Sequence, residues 1–200
     1  FQPAPDSRLR GDGMNARFDV LATPIAGLQV LQRKPIGDDR GYLERLFCMD
    51  ELQALLPGKR IEQINHTLTS GRGTVRGLHL QHPPHAETKV VHGRRGEVFD
   101  VAVDLRRGSP TFLRWHAEVL SAANHRTFVI PEGFAHGFQA LADDCEMLYF
   151  HTAAYRQTAE GGLHAKDPRL AIRWPLPVAG LSPRDAAHAF LDAHFDGVAA

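Results

Sequence analysis

From residue 61 onward the chain is a succession of short apolar runs punctuated by glycine, falling at 61–70, 74–81, 87–93, 96–105, 112–121, 125–131, 135–142 and 144–152. Runs of this length and spacing predict β-strands. The run ending at Leu105 alternates cleanly: Phe99, Val101, Val103 and Leu105 share one face, and Val98, Asp100, Ala102 and Asp104 the other. The acidic face therefore looks either into solvent or into a polar cavity. Upstream, 25–33 and 42–48 read as strands separated by turn residues at 35–41, and Asp50 is placed to cap a short helix carrying Leu52, Leu55 and Leu56 that Pro57-Gly58 ends. Near the C-terminus, Ser182, Pro183 and Asp185 occupy the N-cap, N1 and N3 positions of a helix predicted to reach about residue 193.

No helical crossover separates the strands, which disfavours a parallel α/β sheet and predicts a mainly β sandwich or barrel with a few short helices. Residues 1–17 have only scattered apolar positions and read as a poorly ordered leader; 18–200 read as one domain without an internal repeat.

Composition narrows the function classes. Acidic and basic residues balance at 23 each, so a general polyanion-binding surface has no support and any phosphate recognition must be local; no nucleic-acid partner is expected. The sequence contains no apolar run near the length of a membrane span, and no membrane partner is expected. Cys48 and Cys145 lack metal-ligand spacing and read as buried thiols in a reducing compartment, which predicts a cytoplasmic protein.

Two histidines carry the candidate chemistry. In Val75-Arg76-Gly77-Leu78-His79-Leu80-Gln81, strand alternation puts His79 on the face with Val75, Gly77 and Gln81, which suits a pocket wall but also allows a core histidine. Sixty residues on, Pro131-Glu132-Gly133-Phe134-Ala135-His136 has the P-x-G-x-x-H form of the second cupin motif, which together with the strand pattern predicts a cupin double-stranded β-helix, a jelly-roll barrel. The first cupin motif is broken: His79 is followed by Leu80 and Gln81, leaving two convergent ligands where a transition metal needs three or four, so no metal is expected. Two pocket histidines without a metal suggest acid–base chemistry near neutral pH.

The wider pattern resembles one family. Asp39-Arg40-Gly41, Gln63-Ile64-Asn65, Arg76 through Gln81, Lys89-Val90-Val91, Asp100 through Arg106, Ser109-Pro110-Thr111-Phe112, Ile130 through Phe138, Tyr149, Tyr155 and Leu181-Ser182-Pro183-Arg184-Asp185 together resemble the dTDP-4-dehydrorhamnose 3,5-epimerases. The resemblance implies a nucleotide-diphosphate sugar substrate, inversion at C3 and C5 beside a C4 ketone, no cofactor, and a homodimer whose N-terminal strands complete the partner's sheet or site. It assigns His79 as base, Asp185 as its partner, Lys89 as enolate stabiliser and Tyr149 as the acid on the opposite face. It also implies that Arg40 and Arg76 contact the diphosphate and that Gln63, Asn65, His136, Tyr155, Glu160 and Arg184 contact substrate. The residues alone leave other readings open: a helix cap for Asp185, a core tyrosine for Tyr149, a solvated lysine for Lys89, and surface arginines for Arg76 and Arg184.

Three features bear on the implied function. Family members typically carry a glutamate where this chain has Arg45, with Glu44 one position early, in a region near the nucleotide. A C3-only epimerase, a 3,4-ketoisomerase and a non-catalytic sugar-binding cupin are the alternatives. Arg76 and His79 lie on opposite faces of a regular strand, so sharing one substrate requires a bend, for which Gly77 is the candidate.

Overall fold

The computed structural model describes residues 16–199; all but the last two residues of the expected leader lie outside the described residues. Thirteen strands form two main sheets and a hairpin. The first sheet has six: β1 (Phe18–Ala22), β2 (Gln29–Arg33), β10 (Arg126–Ile130), β7 (Lys89–Arg95), β12 (Cys145–His151) and β5 (Gln63–Thr69), in that order across the sheet. The second has five: β13 (Glu160–Gly162), β6 (Val75–Gln81), β11 (Phe134–Ala140), β8 (Glu97–Asp104) and β9 (Trp115–Ser121). β3 (Ile36–Asp38) and β4 (Gly41–Leu43) form a separate hairpin. All strand pairs in the two main sheets are antiparallel, as in the expected jelly roll.

The two sheets face one another across a core that includes Val30, Val91 and Phe128 from the first and Val98, Ala102, Leu120 and Phe138 from the second. Each of the Val, Leu and Phe side chains among them, fully buried, contributes about 1.5–3 kcal/mol. The outer face of the second sheet is buried too: Leu78, Leu80, Val101, Val103 and Leu105 are covered by Leu163, Leu170 and the partly buried Trp174. A third cluster sets Leu52 and Leu56 against Leu31, Val90, Val129 and Phe150 on the outer face of the first sheet. Both faces of β8 are consequently covered along most of its length, and Asp100 and Asp104, each 0% exposed, put the acidic face inside the protein and not in solvent.

Several element boundaries differ from expectation. The 25–33 strand begins only at Gln29, because Leu28 N donates to Ile25 O and Thr23 Oγ1 donates to Leu28 O, closing a turn first. The first helix, α1 (Met49–Leu52), starts one residue before the expected cap, and its N-cap is Cys48 without a side-chain hydrogen bond. Cys145 is buried as expected, but Cys48 is only partly so. The C-terminal helix, α2 (Pro183–Ala186), is one turn instead of three. Tertiary bonds take its place: Leu191 N donates to Asp167 Oδ2 at 2.5 Å and Arg169 holds Asp192 O, drawing the backbone away from a helical path.

Candidate active site

A cavity of about 680 Å³ opens between the sheets. Asn65 and Thr67 on β5, Lys89 on β7, and Tyr149 and His151 on β12 line it from the first sheet; Arg76 and His79 on β6 and His136 on β11 face them from the second, and the start of α2 closes one side.

Both Arg76 and His79 reach this cavity because β6 is bulged. Pairing with β11 runs His136 to His79 but Phe138 to Arg76, so three residues of β6 are spanned by two of β11. One extra residue brings positions i and i+3 to the same face. Glycine is required at the bulge: Gly77 has φ +110°, and a Cβ there would lie 2.6 Å from Gly137 Cα and 2.7 Å from His136 O. The expected conflict between Arg76 and His79 is thus resolved at Gly77.

His79 Nε2 lies 2.7 Å from Asp185 Oδ1, and Asp185 Oδ2 accepts from Gly77 N at 3.1 Å. A carboxylate oxygen only accepts, so Nε2 carries the imidazole proton and Nδ1 keeps its lone pair. Arg184 Nη2, 3.2 Å from Nε2, is then a neighbouring cation. Burial pushes the His79 imidazole below its ordinary pKa; Asp185 partly opposes this, while Arg184 and Lys89 reinforce it. Burial acts to raise the Asp185 carboxyl, but the hydrogen bonds from His79 and Gly77 N outweigh it and hold the group below the usual carboxylate range. A neutral imidazole against an ionised carboxylate is a base with its orientation fixed. The helix-cap reading of Asp185 is only half right: its backbone N donates to Ser182 Oγ at 3.0 Å, while its carboxylate serves His79 and Gly77.

Across the cavity, Tyr149 is 8% exposed and packs in the inter-sheet core while also lining the cavity, so the two readings of this residue coexist. Burial, the main cause, raises its phenol well above the usual value and keeps it protonated. Lys89, 7% exposed, donates to the backbone carbonyl of His79 at 3.2 Å, which seats the ammonium beside the base.

The remaining predicted residues separate into rim, support and outlier. Arg76 is held by Thr69 Oγ1 at 2.9 Å and Leu68 O at 3.2 Å. Glu160 joins Tyr155, whose hydroxyl donates to it at 2.9 Å, to Arg184 at 2.8 Å. Asn65 lines the cavity, whereas Gln63 stands behind it, donating to Asn65 Oδ1 at 3.1 Å and accepting from Tyr155 N at 2.9 Å. Arg40 is not in the cavity. It lies on the β3–β4 hairpin, 89% exposed in its side chain and paired with Asp38.

Several groups at or behind the cavity wall are not among the residues expected from the sequence. Asp100 meets His136 Nε2 at 2.8 Å; burial raises its carboxyl, with His136 opposing. Glu87 meets His151 Nδ1 at 2.8 Å. Strand parity was the available signal: 87 and 89 share a face, as do 149 and 151. His188 completes, with His79 and Asp185, a grouping whose ligating atoms lie within 4.8 Å of one another. A cation there would face the Arg184 guanidinium and compete with the 2.7 Å dyad bond, so the geometry favours a base and its partner over a metal centre.

The chain also matches known proteins. A family model described as dTDP-4-dehydrorhamnose 3,5-epimerase matches residues 22–193. The chain is 44% identical over 180 residues to the dTDP-4-dehydrorhamnose 3,5-epimerase of Pseudomonas aeruginosa, covering 87% of this chain and 98% of that protein. It is 38% identical over 162 residues to a dTDP-4-dehydrorhamnose 3-epimerase of Streptomyces niveus, covering 80% and 78% respectively. Among solved structures, the dTDP-6-deoxy-D-glucose-3,5-epimerase of Legionella pneumophila, in complex with dTDP-4-keto-L-rhamnose, superposes with a TM-score of 0.83 at 40% identity, covering 90% of this chain and 98% of that one.

Proposed function

Because the chain belongs to the dTDP-4-dehydrorhamnose 3,5-epimerase family, we propose that it inverts C3 and C5 of dTDP-4-keto-6-deoxyglucose, with His79 as base and Tyr149 as acid. The observation that carries this is the placement of the two groups on facing sheets across one cavity. Inversion requires a proton to leave one face of the ring and another to arrive on the opposite face, and a base and an acid on the same wall could not do this.

Each inversion is a balanced proton exchange. His79 Nδ1 takes the proton from the carbon beside the C4 ketone, and the electron pair moves into the enolate. Asp185 stabilises the imidazolium formed, and the Lys89 ammonium stabilises the enolate oxygen where charge develops. Tyr149 then delivers a proton to carbon from the other side, and solvent restores both groups. No electron changes hands, so the chemistry calls for no redox cofactor. Each positioned proton-transfer group contributes on the order of 10²–10⁴-fold. Arg76 at the mouth suits a phosphate oxygen, with its guanidinium already oriented by Thr69 and Leu68. The Tyr155, Glu160 and Arg184 cluster borders the same opening and would contact the remainder of the substrate.

A homodimer belongs to the same reading. Support comes from the hairpin, where Ile36, Tyr42 and Leu43 are 47%, 59% and 68% exposed beside the outlying Arg40, and from the edge positions of β1 and β5. In a dimer the hairpin would carry Arg40 to the partner's diphosphate. Residues 18–200 are taken as one catalytic unit, and the free thiols Cys48 and Cys145 fit the cytoplasm.

Incubation with dTDP-4-keto-6-deoxyglucose, followed by NMR of the ring couplings, tests the reaction. A product inverted at C3 and C5 supports it, inversion at C3 alone assigns a mono-epimerase, and unchanged substrate overturns it.

A further inference from the structure

We propose that Glu87 and His151 form a positioning pair for this reaction, Glu87 orienting Lys89 directly and, through His151, orienting Asn65 on the substrate-facing wall. The proposal rests on the epimerase reading and adds two residues to it. Strand register creates the cluster. Lys89 pairs with His151 across β7 and β12, and Glu87, two residues before β7 begins, lies against both side chains.

The contacts form one chain. Glu87 Oε1 lies 3.3 Å from Lys89 Nζ, and Glu87 Oε2 accepts from His151 Nδ1 at 2.8 Å. With its Nδ1 proton committed to Glu87, His151 has Nε2 left to accept from Asn65 Nδ2, 3.4 Å away. Asn65 Oδ1 in turn accepts from Gln63, which holds the Tyr155 backbone. Burial acts to raise the Glu87 carboxyl, but His151 and Lys89 outweigh it and hold the group below the ordinary range. Glu87 is 8% exposed in its side chain and does not line the cavity, so it acts through its neighbours.

A surface ion pair between flexible groups would be worth little. Here both partners are confined, and Lys89 is fixed at two points, by Glu87 and by the carbonyl of His79. Losing one of these lets the ammonium leave the developing enolate oxygen. The charged and titratable groups that face Lys89 are Glu87 and His151 on its own side and His79 and Asp100 from β6 and β8. Removing Glu87 takes away one of the two groups that hold the ammonium in place.

The test uses the full chain and dTDP-4-keto-6-deoxyglucose, comparing kcat and KM for wild type, Glu87→Gln, His151→Ala and His151→Asn. Glu87→Gln is nearly isosteric; it is expected to lower kcat about tenfold with KM changed less than about threefold. His151→Ala is expected to lose about as much, and His151→Asn, whose amide N–H can take the place of Nδ1–H, to recover most of it. A wild-type-like kcat in folded Glu87→Gln overturns the pair. If Glu87→Gln does not fold, equal activity in His151→Ala and His151→Asn overturns it instead. An active wild type with those results leaves the epimerase reading standing, whereas a wild type inactive on this substrate overturns that reading and this proposal together.

Discussion

His79 and Asp185 are 106 residues apart in sequence and 2.7 Å apart in space, joined through imidazole Nε2 and carboxylate Oδ1. The one-turn helix α2 is enough to deliver the carboxylate, because Ser182 Oγ fixes the Asp185 backbone and leaves its side chain free.

At this turn the cap and the carboxylate contacts fall on different atoms of Asp185: its N donates to Ser182 Oγ, and its carboxylate meets His79 and Gly77 N. Asp185→Asn removes the charge that stabilises imidazolium while sparing the Ser182 cap, and kcat is expected to fall about 10²–10³-fold with little change in thermal stability. Ser182→Ala should cost about 1 kcal/mol of stability, read from urea denaturation, with a far smaller loss of kcat. Equal kcat losses in the two variants would contradict the assignment.

The acid limb of kcat/KM follows the base. In the proposed reaction His79 works as the neutral base, and burial lowers its pKa, so activity should rise with pH along a limb centred below the ordinary histidine value of about 6.5. Asp185 raises that pKa, so residual activity in Asp185→Asn should show the limb at still lower pH. The linked stability has the same sign. The unfolded chain binds the His79 proton more readily than the folded one, so this contribution is present above about pH 6.5 and declines as pH falls toward the folded value. Rate profiles from pH 4.5 to 8 decide the matter, and a limb above neutrality would contradict it.

The bulge that unites Arg76 with His79 depends on two glycines in contact. A Cβ at Gly137 would meet Arg76 O at 2.6 Å and Leu78 Cδ2 at 2.9 Å. Gly137→Ala is therefore expected to cost about 2–3 kcal/mol and to impair activity together with stability. A variant with unchanged urea midpoint and full activity would show that the close approach is not required.

Arg40 lies outside the cavity of its own chain, and the dimer proposal makes a quantitative claim about it. Arg40→Ala and His79→Ala homodimers should each be weak, yet mixing them equally under subunit exchange should restore about a quarter of wild-type activity, because half the dimers are mixed and each has one intact site. Additive activity with no recovery, in a population shown to exchange, would mean that the hairpin does not serve the partner.

Much of this architecture was legible in the sequence because it follows local rules. Strand periodicity located the sheets, and the alternation in β8 separated Val101, Val103 and Leu105 from Asp100 and Asp104. What local rules cannot supply is tertiary competition. The helix after Ser182 was overextended because Asp167 and Arg169, well upstream, capture the backbone that would have continued it. Register also decides which polar groups meet: Glu87 and His151 read as ordinary strand residues until the pairing of Lys89 with His151 brings Glu87, just before β7, against both. The Arg76 and His79 conflict was visible as a violated alternation, and Gly77 marked where it is relieved.

Isotope exchange tests the central claim most directly. In D₂O with dTDP-4-keto-6-deoxyglucose, wild-type protein is expected to place deuterium at both C3 and C5, and His79→Ala at neither while still binding the nucleotide. Exchange by His79→Ala at the wild-type rate would contradict the assignment of the base, and no exchange by the wild type would contradict the reaction itself.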